Sequence, residues 1–190
     1  MQSAEAVRST RGFSLIEVLI ATAILTVGVT ALAQLATIAA RANLGARSAT
    51  SAALLAQEKM EQLRGLAWGL DALGNPISDL TADIAAAPNA PAGGVGLTPS
   101  PPDALAHNTP GYCDFVDAGG RSLGGGSSPP AAAVYARRWS IEPMRAFPDT
   151  LILQVRVAGL RSLGAADGAL GLLRLPDEAR LVDLKTRKAP

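Results

Sequence analysis

The stretch FSLIEVLIATAILTVGVTALAQLATIAA, residues 13–40, decides how this chain is organised. It is apolar throughout except for Glu17, Gln34 and small hydroxyl residues. As an α-helix it would rise roughly 40 Å, whereas a segment that spans a hydrocarbon core needs about 20 apolar residues. It is also too long for the apolar region of an ordinary secretory signal peptide. The stretch therefore predicts a membrane-spanning helix.

Glu17 is the unexpected residue in this stretch. A carboxylate inside a spanning segment costs on the order of 3 kcal/mol on insertion scales, so a sequence optimised only for anchoring would avoid it. An ionisable residue at such a position indicates a function and requires a partner, preferably a cation in the same low-dielectric layer. The leader before the stretch, residues 1–12 (MQSAEAVRSTRG), is polar.

Residues 11–20, RGFSLIEVLI, resemble the prepilin motif of type IV pilins and type II secretion pseudopilins. The resemblance implies that prepilin peptidase, a membrane aspartyl peptidase, cuts after Gly12 and methylates the new amino terminus at Phe13. It also implies that Glu17 serves assembly by pairing with the terminal amine of a neighbouring subunit.

The physical chemistry of the junction agrees with this resemblance. Cleavage after Gly12 would create an ammonium group four residues before Glu17, and residues at that spacing share a helix face. The ammonium of Phe13 can meet Glu17 within one helix or between staggered helices. Only the second pairing specifies a register between subunits. Two alternatives stay open: an uncleaved signal anchor with an incidental acidic residue, and cleavage by signal peptidase near residues 31–33.

The predicted helix continues past the membrane, because no proline occurs between Phe13 and Ala67. Within the span, threonines and Gln34 recur at a spacing of four and form a polar stripe. The stripe serves either close helix–helix packing or hydrogen bonds from threonine back to the helix's own carbonyls. The threonines concerned are Thr22, Thr26 and Thr30.

Residues 41–69 are predicted to be the amphipathic half of the same helix. Lys59 falls near the apolar edge of its wheel and is expected to extend its ammonium group toward water. Residues 54–64, LLAQEKMEQLR, resemble the corresponding helix of PilV-like minor pilins and of I-type minor pseudopilins. The apolar face consists of Ala52, Leu55, Ala56, Met60, Leu63 and Ala67.

Residues 70–190 are predicted to form a small α+β domain outside the cytoplasm. Proline and glycine punctuate residues 71–130, and the part at 88–130 is interpreted as a flexible region or an insertion of short elements. Three candidate strands follow at 133–141, 150–157 and 179–185, with Pro143 and Pro148 bracketing the first connection. The fold class is therefore α+β: a long N-terminal helix packed on an antiparallel sheet of about three strands. Residues 160–176 are expected to be a loop excursion.

Composition argues against catalysis and nucleic-acid binding. The formal charge is only +1 and basic residues are not clustered, so no nucleic-acid partner is expected. The single histidine, His107, and the single cysteine, Cys113, do not make a zinc site, and Asp114 with Asp117 lacks the other ligands of a calcium loop. Cys113 is expected to be an unreactive loop or core residue. No catalytic residue, metal or cofactor is predicted.

The sequence thus predicts a structural minor pilin or pseudopilin in the bacterial inner membrane, with its C-terminal domain in the periplasm. Its partners would be prepilin peptidase, the inner membrane, and other pilin or pseudopilin subunits contacted through the N-terminal helix. It would join a type IV pilus or a type II secretion pseudopilus. The alternatives are a membrane-anchored periplasmic binding protein with an uncleaved signal anchor, and a tethered periplasmic enzyme.

Overall fold

The computed structural model describes residues 12–86, 92–166 and 177–187. The leader up to residue 11 and the end of the predicted excursion, residues 167–176, lie outside the described residues. The chain divides into two compact units, Met1–Leu44 and Gly45–Pro190, and we call the second unit the head. The described elements are α1 (Leu15–Gly65), β1 (Trp68–Leu70), β2 (Pro76–Ser78), β3 (Cys113–Val116), β4 (Ser122–Gly125), β5 (Tyr135–Met144), β6 (Phe147–Gly159), α2 (Leu160–Ala166) and β7 (Glu178–Thr186).

In the apolar part of helix α1, threonine hydroxyl groups form hydrogen bonds to carbonyl groups of the same helix. Thr22 donates to the Leu19 carbonyl at 3.0 Å, and Thr26 donates to the Thr22 carbonyl at 2.7 Å. Thr30 continues the series with a bond to the Thr26 carbonyl at 2.8 Å. Of the two interpretations of the polar stripe, the structure therefore displays back-bonding, which removes the cost of placing hydroxyl groups in hydrocarbon.

The first unit leaves its apolar side chains uncovered. Every described residue from Gly12 to Leu44 is exposed, including the leucines, isoleucines and valines of α1. An 18-residue window of α1 has a mean hydropathy of 2.3, so the helix is long and apolar enough to cross a membrane. A continuous apolar surface of this kind requires lipid or neighbouring helices around it.

The head is built on an antiparallel five-stranded sheet in the order β4-β3-β5-β6-β7. Strands β1 and β2 form a separate two-stranded hairpin. The three predicted strands are present as β5, β6 and β7, so the α+β class is confirmed, although the strand count is larger than predicted. The additional strands of the main sheet, β3 and β4, fall inside the punctuated region at 88–130.

The core lies between the second half of α1 and one face of this sheet. Ala52, Ala56, Met60 and Leu63 of α1 are buried, as the apolar stripe predicted. They pack in one cluster with residues of β5 and β6 that alternate along each strand and so point to the same side. The sheet residues in this cluster include Trp139, Ile141, Leu151, Leu153, Val155 and Val157.

Three expectations about local structure were wrong. Helix α1 ends at Gly65, so Ala67 lies beyond it and is exposed. Lys59 does not reach water but is fully buried in the head. The start of the expected loop excursion at 160–176 is helical, because α2 covers Leu160–Ala166. Pro143 and Pro148 bracket the connection between β5 and β6 as expected, but the strands are longer than predicted and include both prolines, so the connection is only the two-residue turn at 145–146. Each proline is tolerated because it lies where its strand has one paired neighbour, beyond the reach of β3 or of β7.

Gly125 marks a close approach between β4 and the segment that follows β2. A Cβ atom at this position would lie 2.7 Å from the Cys113 carbonyl oxygen and 2.8 Å from the Ala85 Cβ. Only glycine fits such a contact without displacing backbone. The close packing of β4 against β3 and against the segment around Ala85 therefore depends on this residue.

Truncation of Leu63, which is fully buried, should destabilise the head strongly. We expect Leu63→Ala to lower the free energy of unfolding by about 2–5 kcal/mol, because a core cavity is added to the lost burial. The matched control is Leu54→Ala on the same helix, where the side chain is 63% exposed. Chemical denaturation of the full chain in detergent measures both. Equal losses for the two variants would contradict this assignment of the helix face.

Candidate functional site

The predicted processing residues lie at the start of α1 and are accessible. Gly12 and Glu17 are exposed, and the Phe13 side chain is 82% exposed. Helix α1 begins at Leu15, directly after Ser14, whose carbonyl accepts the backbone N–H groups of Glu17 at 3.0 Å and Val18 at 3.2 Å. The predicted scissile peptide bond thus precedes the first helical residue.

Phe13 lies two residues before α1, yet it lies on the same side of the chain as Glu17, as their spacing predicted. Both line a shallow hollow on the surface of α1, together with Val18, Ala21, Thr22 and Leu25. Small side chains at Ala21 and Thr22 make the hollow. A charged group that approaches Glu17 along this face would meet an otherwise apolar surface, where an ion pair is weakly screened.

Glu17 also has a local role that the sequence analysis missed. It is the acidic residue of the first turn of α1, where a negative charge interacts favourably with the helix macrodipole. The spacing Ser14-x-x-Glu17 is that of a capping box, a signal that was readable in the sequence. An experiment that substitutes Glu17 therefore has to distinguish an effect on the start of the helix from an effect on subunit pairing.

Gly12 is not required by the fold of this chain. A Cβ atom at Gly12 would meet nothing within 4 Å, and its backbone is not in the left-handed region. Glycine is needed elsewhere in the chain for turns and close contacts, but not here. A requirement for glycine at this position therefore has to come from a partner that approaches the backbone.

The head contains a buried ionic cluster that joins α1 to the sheet. Asp114 of β3 lies 2.8 Å from the Lys59 ammonium and accepts two hydrogen bonds of 2.7 Å from the Arg137 guanidinium of β5. Asp114 and Lys59 are fully buried, and Arg137 nearly so. Arg137 reaches Glu58 of α1 at 3.1 Å, which balances the cluster with two cations and two anions.

Two further groups hold Lys59. It donates to the Ile84 carbonyl at 2.5 Å, and its ammonium lies 4.6 Å from the ring centroid of Trp139. Burial lowers the pKa of Lys59, and the carboxylate of Asp114 opposes this shift. Because these partners surround the amine, it is a structural contact between α1, the sheet and the segment around Ile84.

The residues considered for catalysis are not gathered into a site. Cys113 is buried in β3, where burial raises the pKa of its thiol, and its sulfur donates to the Gly126 carbonyl at 2.9 Å. Asp114 belongs to the ionic cluster, whereas Asp117 accepts the backbone N–H groups of Gly119 and Arg121 in a turn. His107 is exposed. Across residues 12–86, 92–166 and 177–187, no three His, Cys, Asp or Glu residues are placed to hold a metal ion.

A cleft lies on the sheet face opposite α1. Its volume is about 570 Å³, and the loop at 100–106 forms one wall. Ser140, Glu142, Arg156 and Arg180 form the other wall. The Arg156 guanidinium donates hydrogen bonds of 3.0 Å and 3.2 Å to the Glu178 carboxylate. The cleft wall carries both positive and negative side chains. This cleft could not be predicted from the sequence, because its walls come from separate parts of the chain.

Comparison with known proteins supports the interpretation of the N-terminal segment. The family model described as the prokaryotic N-terminal methylation motif matches residues 7–33. No curated protein and no solved structure matches the chain. The match covers the leader, the junction and most of the apolar stretch, but none of the head.

The apolar helix and this match define a protein with a prepilin-type N-terminus, and they support a membrane anchor. The motif supports assignment to the type IV pilin-like proteins. It implies processing by prepilin peptidase and assembly with other pilins.

Removal of Asp114 should destabilise the head more than removal of either neighbouring cation. We expect Asp114→Ala to cost about 3–5 kcal/mol in the free energy of unfolding, because Lys59 and Arg137 would stay buried without their shared carboxylate. Lys59→Met should cost less, since the Asp114–Arg137 pair survives. The control is Glu61→Ala, whose exposed contact with Arg64 should contribute at most about 1 kcal/mol. Equal losses for Asp114→Ala and Glu61→Ala, measured by denaturation, would refute the role of the cluster.

Proposed function

We propose that this chain is a structural minor pilin or pseudopilin subunit that is assembled into a type IV pilus or a type II secretion pseudopilus. The match of the N-terminal methylation motif to residues 7–33 carries the proposal. The resemblance of residues 54–64 to PilV-like minor pilins and I-type pseudopilins supports the minor subtype. The subunit is anchored in the inner membrane, and its head is periplasmic or in the filament.

Processing at the Gly12–Phe13 bond begins the proposed sequence of events. Gly12 lies before the helix and is exposed, so a membrane peptidase can reach the backbone there. The open space around Gly12 supports a glycine requirement that originates in the peptidase. Cleavage leaves Phe13 as the new N-terminus, which the same peptidase methylates.

Assembly follows from the charge of Glu17. In lipid its carboxylate is costly, and the methylated amine of Phe13 from a neighbouring subunit offsets that cost. The hollow that Phe13 and Glu17 line together supports this pairing, because it places position 13 and the carboxylate on one side of the chain. The uncovered apolar surface of the first unit supports lateral packing with other N-terminal helices.

We further propose that the chain is not an enzyme. The buried polar residues of the head, Lys59, Asp114 and Arg137, bind one another and are closed to a substrate. The second candidate function is that of a membrane-anchored periplasmic binding protein with an uncleaved signal anchor. The cleft formed by the loop at 100–106 and by Arg156 and Arg180 favours it. The mature N-terminus separates the two candidates.

The mature chain should begin with N-methylated phenylalanine at position 13. Intact-mass and N-terminal peptide mass spectrometry of membrane-purified protein measures this directly. Gly12→Ala is expected to reduce processing while the unfolding of the head stays unchanged, since no atom lies near the added methyl group. A chain that begins at Met1, or beyond Ala33, would exclude the pilin-like function and favour the anchored binding protein.

Glu17 should be required for assembly and dispensable for processing. We expect Glu17→Ala and Glu17→Gln to be cut, methylated and inserted normally, but to be lost from sheared filaments or from tip complexes. Glutamine keeps the hydrogen-bonding capacity of the first helical turn and removes only the charge, so a shared defect assigns the effect to pairing. The control is Thr22→Ala on the same face. Normal incorporation of Glu17→Gln would reject charge pairing.

A further inference from the structure

The sheet wall of the cleft contains a buried hydroxyl group that lacks a partner. Trp139 and Ile141 of β5 point into the core, so the side chain of Ser140 between them lies on the cleft side of the sheet. Ser140 is 3% exposed, and its hydroxyl makes no hydrogen bond to any residue that the structure describes. Native proteins retain few such groups, because burial removes water without replacing its hydrogen bonds. A hydroxyl of this kind in a cleft indicates a ligand group that bonds to it.

Three arginines lie side by side on the same face of the sheet. Arg138 of β5 is directly opposite Arg156 of β6, which in turn is directly opposite Arg180 of β7. Like charges at opposite positions of neighbouring strands repel one another. The Glu178 carboxylate offsets part of this repulsion, since it bonds to Arg156 and lies 3.8 Å from Arg180. The sheet wall is therefore positively charged where Arg156 and Arg180 line the cleft.

The two arginines that line the cleft have different surroundings. Besides its two bonds to Glu178, Arg156 donates to the Leu105 carbonyl at 3.2 Å, which holds the loop at 100–106 against the sheet. The side chain of Arg180 is 51% exposed, and its contact with Glu178 is the longer one at 3.8 Å. A guanidinium group presents its N–H donors as a planar fork, so Arg180 can bind a further acceptor in addition to Glu178.

The acidic residues of the cleft restrict the charge of that acceptor. Asp103 and Glu142 line the cleft and are exposed. They repel a doubly charged phosphate group more strongly than a carboxylate, which carries a single charge. A carboxylate also matches the planar fork of arginine with two parallel hydrogen bonds. The volume of about 570 Å³ is within the range of sites that bind small ligands.

We propose that this cleft is a carboxylate-binding site, in which Arg180 pairs with the ligand carboxylate and the Ser140 hydroxyl donates a hydrogen bond to the ligand. The carboxylate belongs to an acidic peptide or to a small organic acid, which share this chemistry. Arg156 holds the loop that forms the opposite wall. All of these residues belong to the head, so binding does not depend on processing or assembly of the N-terminal helix.

The experiment is a titration of the full chain in nonionic detergent, followed by saturation-transfer NMR of the ligand signals. The probes are N-acetylglutamate and the blocked peptide acetyl-Gly-Glu-Gly-amide, and the uncharged control is acetyl-Gly-Gln-Gly-amide. We expect the glutamine peptide to bind about tenfold more weakly than the glutamate peptide, because a charge-assisted hydrogen bond is lost. Binding of one carboxylate probe alone would support the site and identify its source of carboxylate. Equal signals from the two peptides, or none from either carboxylate probe, would overturn the proposal.

Substitutions in the cleft test the two assigned roles. We expect Arg180→Gln to weaken carboxylate binding about tenfold, whereas Glu142→Gln strengthens it by removing a repelling charge. The matched control is Arg145→Gln in the β5–β6 turn, which is exposed and outside the cleft. Equal weakening by Arg180→Gln and Arg145→Gln would assign binding to overall charge and reject the site.

Ser140→Ala should weaken binding several-fold without lowering the free energy of unfolding, because the hydroxyl that it removes has no partner among the described residues. Denaturation of the same variant measures stability. A variant that loses stability but binds the probes normally would show that Ser140 is a structural residue and would reject its contact with the ligand.

Discussion

One buried carboxylate, Asp114, holds the head together by binding a cation from the helix and a cation from the sheet. Lys59 approaches it from α1 and Arg137 from β5, and water is excluded from all three side chains. Charges buried at this depth are costly unless each has a partner, so the three residues fix one another's positions. The cluster ties α1 at Lys59 to β3 and, through Asp114, to β5, which adds a directional contact to the apolar packing of the helix on the sheet.

The parts of the fold that follow from local patterns could be predicted from the sequence. The apolar stripe of Ala52, Ala56, Met60 and Leu63 and the positions of β5, β6 and β7 are periodic, and periodicity reports which side of an element is covered. Strands β3 and β4 could not be predicted, because they are short and lie among turn residues. Strand β3 is held by its pairing with β5, and β4 in turn pairs with β3, so neither position follows from the local sequence alone.

The difference between local sequence patterns and contacts between distant residues also explains which site residues could be predicted. The processing and assembly residues lie within one short motif, so their roles could be predicted without knowledge of the fold. They are Gly12, Phe13 and Glu17. The ionic cluster was not readable, because Lys59, Asp114 and Arg137 meet only after the sheet has formed. The ammonium group of Lys59 was expected to reach water, because lysine at the edge of an apolar face generally extends its charge into solvent. A partner supplied by β3 reversed that expectation.

The cluster also has a consequence for how the subunit is made. Lys59 is synthesised well before Asp114 and Arg137, so for that interval an ammonium group lies on an apolar helix face without these two cluster partners. The second half of α1 cannot therefore reach its final packing as an early, independent step. Completion of the head has to wait for β3 and β5, and until they are made the amphipathic half of α1 keeps its apolar face uncovered.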